Sequence, residues 1–238
     1  MKILIIISCF LGGAFCLYPA ENYLLLKSEA DNLRDAGNTA AALSAYYNTL
    51  KANSNCASCH MEIGYLHMQN NLDEIALEEF RKAEALARYF FMPEETIQLY
   101  FYMASVLHRL QYYKSELEYL NKISVLTAET DEKFYRESAA KAAFITGMLI
   151  FSGQASARKE AVPFFYKSID FGFRKKSCYY YLLQYFLEER NENLFRYYYQ
   201  LFQETRPGDD EDLFGREKTA EMIRHFDEYY KKIKNNKP

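Results

Sequence analysis

The feature that most constrains this chain is a pattern of small and aromatic residues that recurs after 34 positions. Around these positions, apolar residues fall at intervals of three and four, which is the spacing of amphipathic helices. A fixed period of this length predicts helical hairpins that bury their apolar faces against one another. The recurring positions are Ala30, Ala42 and Tyr46 in the first copy, and Gly64, Ala76 and Phe80 in the second.

The pattern resembles the tetratricopeptide repeat (TPR) family. The second copy also supplies the small residue Ala83 and a family-like turn over residues 69–74, while the first has Gly37 in its turn and a less typical Thr49. Small residues let neighbouring helices approach closely, and the aromatic ring fills the space between them. The resemblance implies an all-α, TPR-like solenoid of helical hairpins that works by binding another macromolecule.

The chain accommodates about five such hairpins and a capping helix. A fourth hairpin carries Gly147, Ala161 and Phe165, whereas the third and fifth keep the periodicity without the full motif. An acidic loop and a charged helix with an apolar stripe follow within residues 207–238, and this helix is expected to cap the solenoid. The expected hairpins span about residues 23–56, 57–90, 97–130, 138–172 and 175–206.

Composition and charge narrow the class of partner. Half of the 238 residues are hydrophobic and 26% are charged, so the chain can bury a continuous core and intrinsic disorder is disfavoured. The net charge is only −3, and the basic residues are scattered apart from a short cluster over residues 231–237. This distribution disfavours a nucleic-acid partner.

The N-terminus has the form of a secretory signal. Lys2 precedes an apolar run over residues 3–15, which is too short to span a bilayer comfortably. Cleavage after Cys16 gives a signal peptide of residues 1–16 and predicts an exported protein of the periplasm or cell envelope. Lipidation at Cys16 or Cys9, and retention of the segment as an anchor or a buried helix, remain open.

The segment from Cys56 to His60, Cys-Ala-Ser-Cys-His, matches a CxxCH motif, a spacing found at sites of cysteine chemistry. Two thiols followed by histidine can attach haem covalently. The same thiols can form a local disulfide or a redox pair, because an exported protein meets oxidising conditions and a helix N-terminus lowers a thiol pKa. The sequence leaves open whether Cys56 and Cys59 are bridged, free or ligands; it predicts Cys178 to be a small buried residue.

No other pattern indicates catalysis. The four histidines are widely separated and form no short metal-ligand motif, and no nucleophile elbow or phosphate-binding loop is present. We therefore predict a protein that is not an enzyme, with no cofactor and no metal.

A partner-binding groove is what the resemblance implies, because the first helices of TPR hairpins line a concave surface. This surface would be polar at one end and rich in methionine and aromatic residues at the other, which suits apolar partner side chains. An equal expectation is that about half of these residues pack against neighbouring helices. The positions carried over are Lys27, Asp31, Arg34, Met61, Tyr65, Met68, Phe101, His108, Arg109, Phe144, Met148 and Phe151.

The function predicted from the sequence is an exported scaffold that mediates protein–protein interaction in the cell envelope through this groove. One alternative is a periplasmic solenoid that encloses a small apolar ligand near Phe144, Met148 and Phe151 for a transporter partner. Another is a haem or thiol redox protein that uses the Cys56–His60 segment. The sequence does not identify the partner or the oligomeric state.

Overall fold

A computed structural model describes residues 19–128, 132–153, 158–206 and 217–235, with side chains from residue 22 and, in the last helix, from residue 218. Within these ranges the chain is helical and contains no strand. The described residues form two compact units, unit 1 up to residue 90 and unit 2 from residue 91. The signal-peptide prediction, with Cys9 and Cys16, and the acidic loop fall outside the described residues.

Unit 1 contains two helical hairpins. Helices α1 and α2 pack as the first pair, α3 and α4 as the second, and α2 also contacts α3. A short 3₁₀ turn, Ala87–Tyr89, follows the second pair. The helices are α1 (Pro19–Asp35), α2 (Thr39–Ala52), α3 (Ala57–Gln69) and α4 (Asp73–Ala85).

Unit 2 contains three further helical hairpins, α5 with α6, α7 with α8, and α9 with α10. A last helix contacts α10. A 3₁₀ turn, Arg158–Ala161, precedes α8. The helices are α5 (Pro93–Arg109), α6 (Tyr113–Leu126), α7 (Lys133–Phe151), α8 (Val162–Asp170), α9 (Lys175–Glu188), α10 (Glu192–Glu204) and α11 (Glu217–Asn235).

Each hairpin turns through a residue with positive φ just after its first helix. This left-handed conformation ends the helix and lets the last carbonyls find partners. Glycine adopts it without a steric penalty, while asparagine, glutamine and arginine supply it in the other turns. The five residues are Gly37, Asn71, Gln111, Gly153 and Arg190.

Side-chain caps fix where several helices begin. The Asn38 side chain accepts a hydrogen bond from the amide of Ala41 at 3.3 Å, and the Asn191 side chain accepts one from the amide of Leu194 at 3.1 Å. Glu95 reaches back to the amides of Phe91 and Met92 at 2.9 and 3.0 Å. These bonds satisfy amides that the first helical turn leaves without partners.

The residues to which the sequence assigned a packing role all lie in the interior. Within the second hairpin, Gly64 faces the ring of Phe80; within the fourth, Gly147 faces the ring of Phe165. The predicted fold class, all-α with TPR-like helical hairpins, is confirmed by the described helices. The buried packing positions are Ala30, Ala42, Tyr46, Gly64, Ala76, Phe80, Ala83, Gly147, Ala161 and Phe165.

Among the described residues, no helix combines the length and the apolar character needed to cross a membrane.

Candidate functional site: an aromatic groove on unit 2

In unit 1, the polar residues predicted to line the groove form an ion-pair network. The Lys27 ammonium lies 2.8 Å from Asp31, and the Tyr46 hydroxyl donates to the other oxygen of Asp31 at 2.7 Å. The Arg34 guanidinium lies 2.6 Å from the Glu62 carboxylate and so joins α1 to α3. All of these side chains are at least half-buried, and the network therefore holds the two hairpins together.

Burial shifts the pKa of two members of this network, Glu62 and Tyr46. It raises the pKa of the Glu62 carboxyl, although the Arg34 guanidinium opposes that rise. Burial and the hydrogen bond to Asp31 raise the pKa of the Tyr46 phenol, which stays neutral.

The three apolar groove candidates of unit 1 differ in exposure. Met61 is only 2% exposed and packs inside the unit. Tyr65 and Met68 are half-buried, and the Gln69 amide donates to the Tyr65 hydroxyl at 2.7 Å. Only Tyr65 and Met68 therefore keep part of their surface for a partner.

In unit 2, two of the predicted groove aromatics lie in the core. Phe144 packs edge-on against Phe173 with a centroid distance of 5.9 Å, and Phe151 packs against Phe165 at 6.0 Å. Tyr181 lies against both Phe144 and Phe151, at 6.4 and 5.3 Å. Side chains thus fill the region that the sequence offered as an alternative site for a small apolar ligand.

The other candidates of unit 2 lie nearer the surface. Phe101 and Met148 are half-buried, whereas His108 and Arg109 are exposed at the end of α5. The His108 Nδ1–H donates to the buried carboxylate of Glu116 at 2.9 Å, which ties α5 to α6.

A groove of about 710 Å³ runs between α5, α7 and the turn from α8 to α9. Five of its eleven lining residues are aromatic, and two of these rings stay open to solvent: Phe134 is 41% and Phe171 is 38% exposed. We call this surface the aromatic groove. It is lined by Gln98, Phe101, Tyr102, Phe134, Glu137, Ser138, Ala140, Lys141, Phe171, Gly172 and Phe173.

The turn between α8 and α9 places two of these rings. Gly172 adopts φ +81°, a conformation that disfavours residues with a Cβ, so the chain reverses between Phe171 and Phe173. The Phe173 amide donates to the Ser168 carbonyl at 3.0 Å, and the Ser168 hydroxyl donates to the Phe173 carbonyl at 3.0 Å. This pair of bonds holds the turn, and with it one wall of the groove.

Lys141 gives the groove a positive charge. Its ammonium lies 4.5 Å from the ring centre of Phe101, within the range of a cation–π contact. Glu137, one turn earlier on α7, pairs instead with Lys133 at 3.7 Å. In the described part of the chain no carboxylate forms an ion pair with Lys141, so its charge is available to an anionic group.

Sequence reasoning found Phe101 and missed most of the rest of the groove. The predicted fourth hairpin began at residue 138, whereas α7 begins at Lys133, so the first turn with Phe134 and Glu137 was left out. A helical spacing of three and four links Phe134, Ser138 and Lys141, and this signal could have found that wall. The contribution of Phe171 and Phe173 depends on the fold of the turn.

The Cys56–His60 segment forms a closed local structure in unit 1. Cys56 and Cys59 are joined by a disulfide, and the Cys56 sulfur accepts a hydrogen bond from the Cys59 amide at the start of α3. The His60 Nδ1–H donates to the Glu79 carboxylate at 2.7 Å. In this arrangement neither sulfur can bond to a haem vinyl group.

Within the described ranges, no group of three histidine, cysteine, aspartate or glutamate side chains is placed to hold a metal ion. Cys178 is a buried thiol on α9.

The helical pairing, the turn positions and the packing of glycine against an aromatic ring give this chain the fold of tetratricopeptide repeat proteins. Solved structures support this. YrrB, a TPR protein with an unusual peptide-binding site, is 18% identical with a TM-score of 0.52 over 84% of this chain and 82% of that chain.

Two further structures cover nearly the whole chain. PilF of Pseudomonas aeruginosa is 16% identical, with a TM-score of 0.54 over 92% of this chain and 99% of that chain. PilW, a widely conserved type IV pilus biogenesis factor, is 14% identical, with a TM-score of 0.53 over 91% of this chain and 94% of that chain. No protein-family model and no curated protein sequence matches the chain. At these identities the likeness shows the fold and does not extend to activity.

Proposed function

We propose that this chain is an interaction scaffold whose aromatic groove binds an extended segment of a partner protein. The observation that carries the proposal is the groove itself, in which the exposed rings of Phe134 and Phe171 lie on the same surface as the unpaired charge of Lys141. Covering exposed aromatic rings with a partner lowers the free energy, and a charged group in the groove selects the orientation of that partner.

The groove defines the chemistry of the segment. A leucine, methionine or aromatic side chain suits the surface at Phe134 and Phe171, because both exposed rings offer apolar surface. An aspartate or glutamate fits next to Lys141, where it pairs with the ammonium. The partner segment is therefore apolar and acidic.

A peptide library displayed on phage and selected on the purified chain tests this prediction. We expect the enriched segments to combine an apolar anchor with a neighbouring acidic residue. Phe134→Ser removes about 1–2 kcal/mol of apolar contact, so binding of an enriched peptide should weaken about 5- to 30-fold by fluorescence anisotropy.

Charge reversal makes the test sharper. Lys141→Glu should weaken the acidic peptides and favour basic analogues, whereas the matched control Lys114→Glu, at an exposed position on α6, should change neither. Enriched segments without acidic residues, or binding that is unaffected by Phe134→Ser, would contradict the proposal.

The proposed location is the cell envelope, reached by export. Its support is the apolar segment over residues 3–15, with the likeness to PilW as a weaker argument. Expression in a bacterial host, fractionation and mass measurement of the intact product test it. A periplasmic product that begins at Leu17 supports export with cleavage, a product with added lipid mass supports a lipoprotein, and an uncleaved cytoplasmic product contradicts export.

A further inference from the structure

A second cleft in unit 2 is lined mainly by tyrosines. It lies between α8, α9 and α10, encloses about 370 Å³ and shares no residue with the aromatic groove. We call it the tyrosine cleft. Its lining residues are Tyr166, Ile169 and Asp170 on α8, Tyr179 on α9, and Tyr197, Tyr198 and Leu201 on α10.

Contacts between neighbouring rings hold the tyrosines of the cleft in place. Tyr198 stacks on Tyr166 with a centroid distance of 6.0 Å and an interplanar angle of 23°, and it is edge-on to Tyr197 at 5.0 Å. On the core side Tyr198 stacks on Phe186 at 5.5 Å and 10°. Tyr179 closes the cluster at 6.0 Å from Tyr198. The ring arrangement therefore exists before any ligand binds.

Two phenols of this cluster, those of Tyr198 and Tyr179, are held in the neutral form. Burial, a hydrogen bond to Tyr166 and the neighbouring phenols raise the pKa of Tyr198 above its ordinary value, and burial raises that of Tyr179. A neutral phenol ring has a negative π-face, which attracts a cation without a formal charge.

Asp170 adds a carboxylate to the lining of the cleft. It is the last residue of α8, where the carbonyl end of the helix also favours a cation. No described residue forms an ion pair or hydrogen bond with its carboxylate. The cleft therefore combines a free carboxylate with electron-rich ring faces.

Other aromatic clusters of unit 2 already hold a cation from the chain itself. Lys122 lies 4.2 Å from the ring centre of Tyr119, and Lys176 lies 4.8 Å from that of Phe202. None of the cation–ring contacts in the described ranges involves the four tyrosines of the cleft. The cleft is thus an aromatic and acidic site whose cation must come from another molecule.

We propose that the tyrosine cleft binds an arginine side chain of a partner polypeptide. The guanidinium is planar and weakly hydrated, so it stacks on a tyrosine face while its N–H groups bond to a carboxylate. Stacking on the exposed ring of Tyr197 would place the guanidinium in the same cleft as the Asp170 carboxylate. The open form of the cleft leaves a path for the polypeptide that carries the arginine.

An NMR titration of the whole chain, labelled with ¹³C in its tyrosine rings, tests this proposal. The probes are three end-blocked peptides, Gly-Arg-Gly, Gly-Lys-Gly and Gly-Gln-Gly, and the Tyr197 signals are identified with Tyr197→Phe. We expect the arginine peptide to shift the Tyr197 ring signals most, the lysine peptide less and the glutamine peptide not at all.

Two exposed positions allow variants that leave the core intact. Tyr197 is 56% exposed and its matched control Tyr112 is 57% exposed. Tyr197→Ala should weaken binding of the arginine peptide about two- to five-fold, followed through the remaining ring signals, and Tyr112→Ala should not. Asp170→Asn should weaken it by a similar factor, whereas Glu118→Gln, at an exposed position on α6, should not.

Equal binding of the arginine and lysine peptides, binding of the glutamine peptide, or equal effects of Tyr197→Ala and Tyr112→Ala would overturn the proposal. The result is independent of the aromatic groove. Phe134→Ser should leave the arginine titration unchanged, and Tyr197→Ala should leave the acidic peptides unaffected.

Discussion

Gly64 on α3 lies directly against the ring of Phe80 on α4, so closely that a Cβ on Gly64 would stand 2.6 Å from both Cδ1 and Cε1 of that ring. Gly147 has the same relation to Phe165 on the next helix of its own hairpin, at 2.8 Å from Cε1. Real Cβ atoms do not approach a ring so closely. The absence of a side chain at these positions is therefore what lets the two helices of each hairpin pack at this distance.

The first prediction concerns this contact. Gly64→Ala should lower the free energy of unfolding by about 1–3 kcal/mol, because the added methyl group displaces a buried ring, although alanine favours the helix by about 1 kcal/mol. Urea unfolding followed by circular dichroism measures the change. In a Phe80→Leu background the same substitution should cost less, since the crowding ring is gone. Equal costs in both backgrounds would show that the ring is not the obstacle.

The second prediction concerns the ion pair between Arg34 and Glu62. Arg34→Met leaves the buried Glu62 carboxylate without its partner and should lower the free energy of unfolding by about 2–3 kcal/mol, less than for a fully buried pair because Arg34 keeps some solvent contact. Asp35→Asn removes only the exposed partner of Arg34, 2.9 Å away, and should cost about 0.5 kcal/mol or less.

A double variant isolates the pair. Arg34→Met combined with Glu62→Met should be more stable than Arg34→Met alone, because no unpaired charge is then buried. A double variant that is less stable than Arg34→Met would mean that Glu62 has another partner of comparable strength.

The repeat pattern predicted the fold because each of its positions corresponds to one physical contact. The recurrence of a small residue and an aromatic ring, as in Gly64 and Phe80, indicates two helices in close contact. Hairpin turns were visible where glycine or asparagine marks them, as at Gly37 and Asn71. At Gln111 and Arg190 the same left-handed turn is formed by residues without that preference, and no local signal exists there.

The candidate site was harder to predict because exposure depends on tertiary packing. Counting along helices assigned Met61 and Phe151 to a surface, yet the neighbouring helices cover both. Conversely, Phe171 reaches the aromatic groove only because the turn at Gly172 has positive φ. Helical periodicity gives the face on which a residue lies, but not the depth to which the next helix buries it.

The third prediction concerns the disulfide between Cys56 and Cys59. It closes a very short loop, so reduction should lower the free energy of unfolding by only about 2 kcal/mol or less. Urea unfolding with and without reductant measures this. The matched control, Cys56→Ser with Cys59→Ser, should not respond to reductant. Because both cysteines are buried, alkylation in reductant should be slow until urea opens unit 1.

Absorption and mass spectra of the untreated chain check the same assignment. We expect no haem absorption band and a mass lower than that of the fully reduced chain by two hydrogen atoms. A haem band with the mass of an attached macrocycle, or two thiols that react without reductant, would contradict a closed bridge.

The fourth prediction compares two buried carboxylates that bond to histidine. Glu79 accepts from the His60 Nδ1–H at 2.7 Å, and Glu116 accepts from the His108 Nδ1–H at 2.9 Å. Burial raises the pKa of both, but at Glu79 the hydrogen bonds from His60 and Lys82 outweigh burial and lower the pKa below its usual 4.5. At Glu116 burial prevails over His108, and the pKa lies above 4.5.

The two shifts have opposite consequences for stability. A lowered pKa in the folded chain gives stability that is present above pH 4.5 and lost as the pH falls through the folded-state pKa. A raised pKa gives stability that is full below pH 4.5 and lost as the pH rises through the folded-state pKa. As the pH rises, Glu79→Gln should therefore become more destabilising relative to the parent chain, and Glu116→Gln less so.

Urea unfolding of the parent chain and both variants, between about pH 3 and about pH 7, measures these differences. Glu118→Gln, on the exposed face of α6, is the matched control and should give a nearly constant difference. Because each difference is taken against the parent at the same pH, the titration of the other carboxylates cancels. If both variants become less destabilising as the pH rises, the bonds from Lys82 and His60 do not outweigh burial at Glu79. If both become more destabilising, burial does not prevail at Glu116.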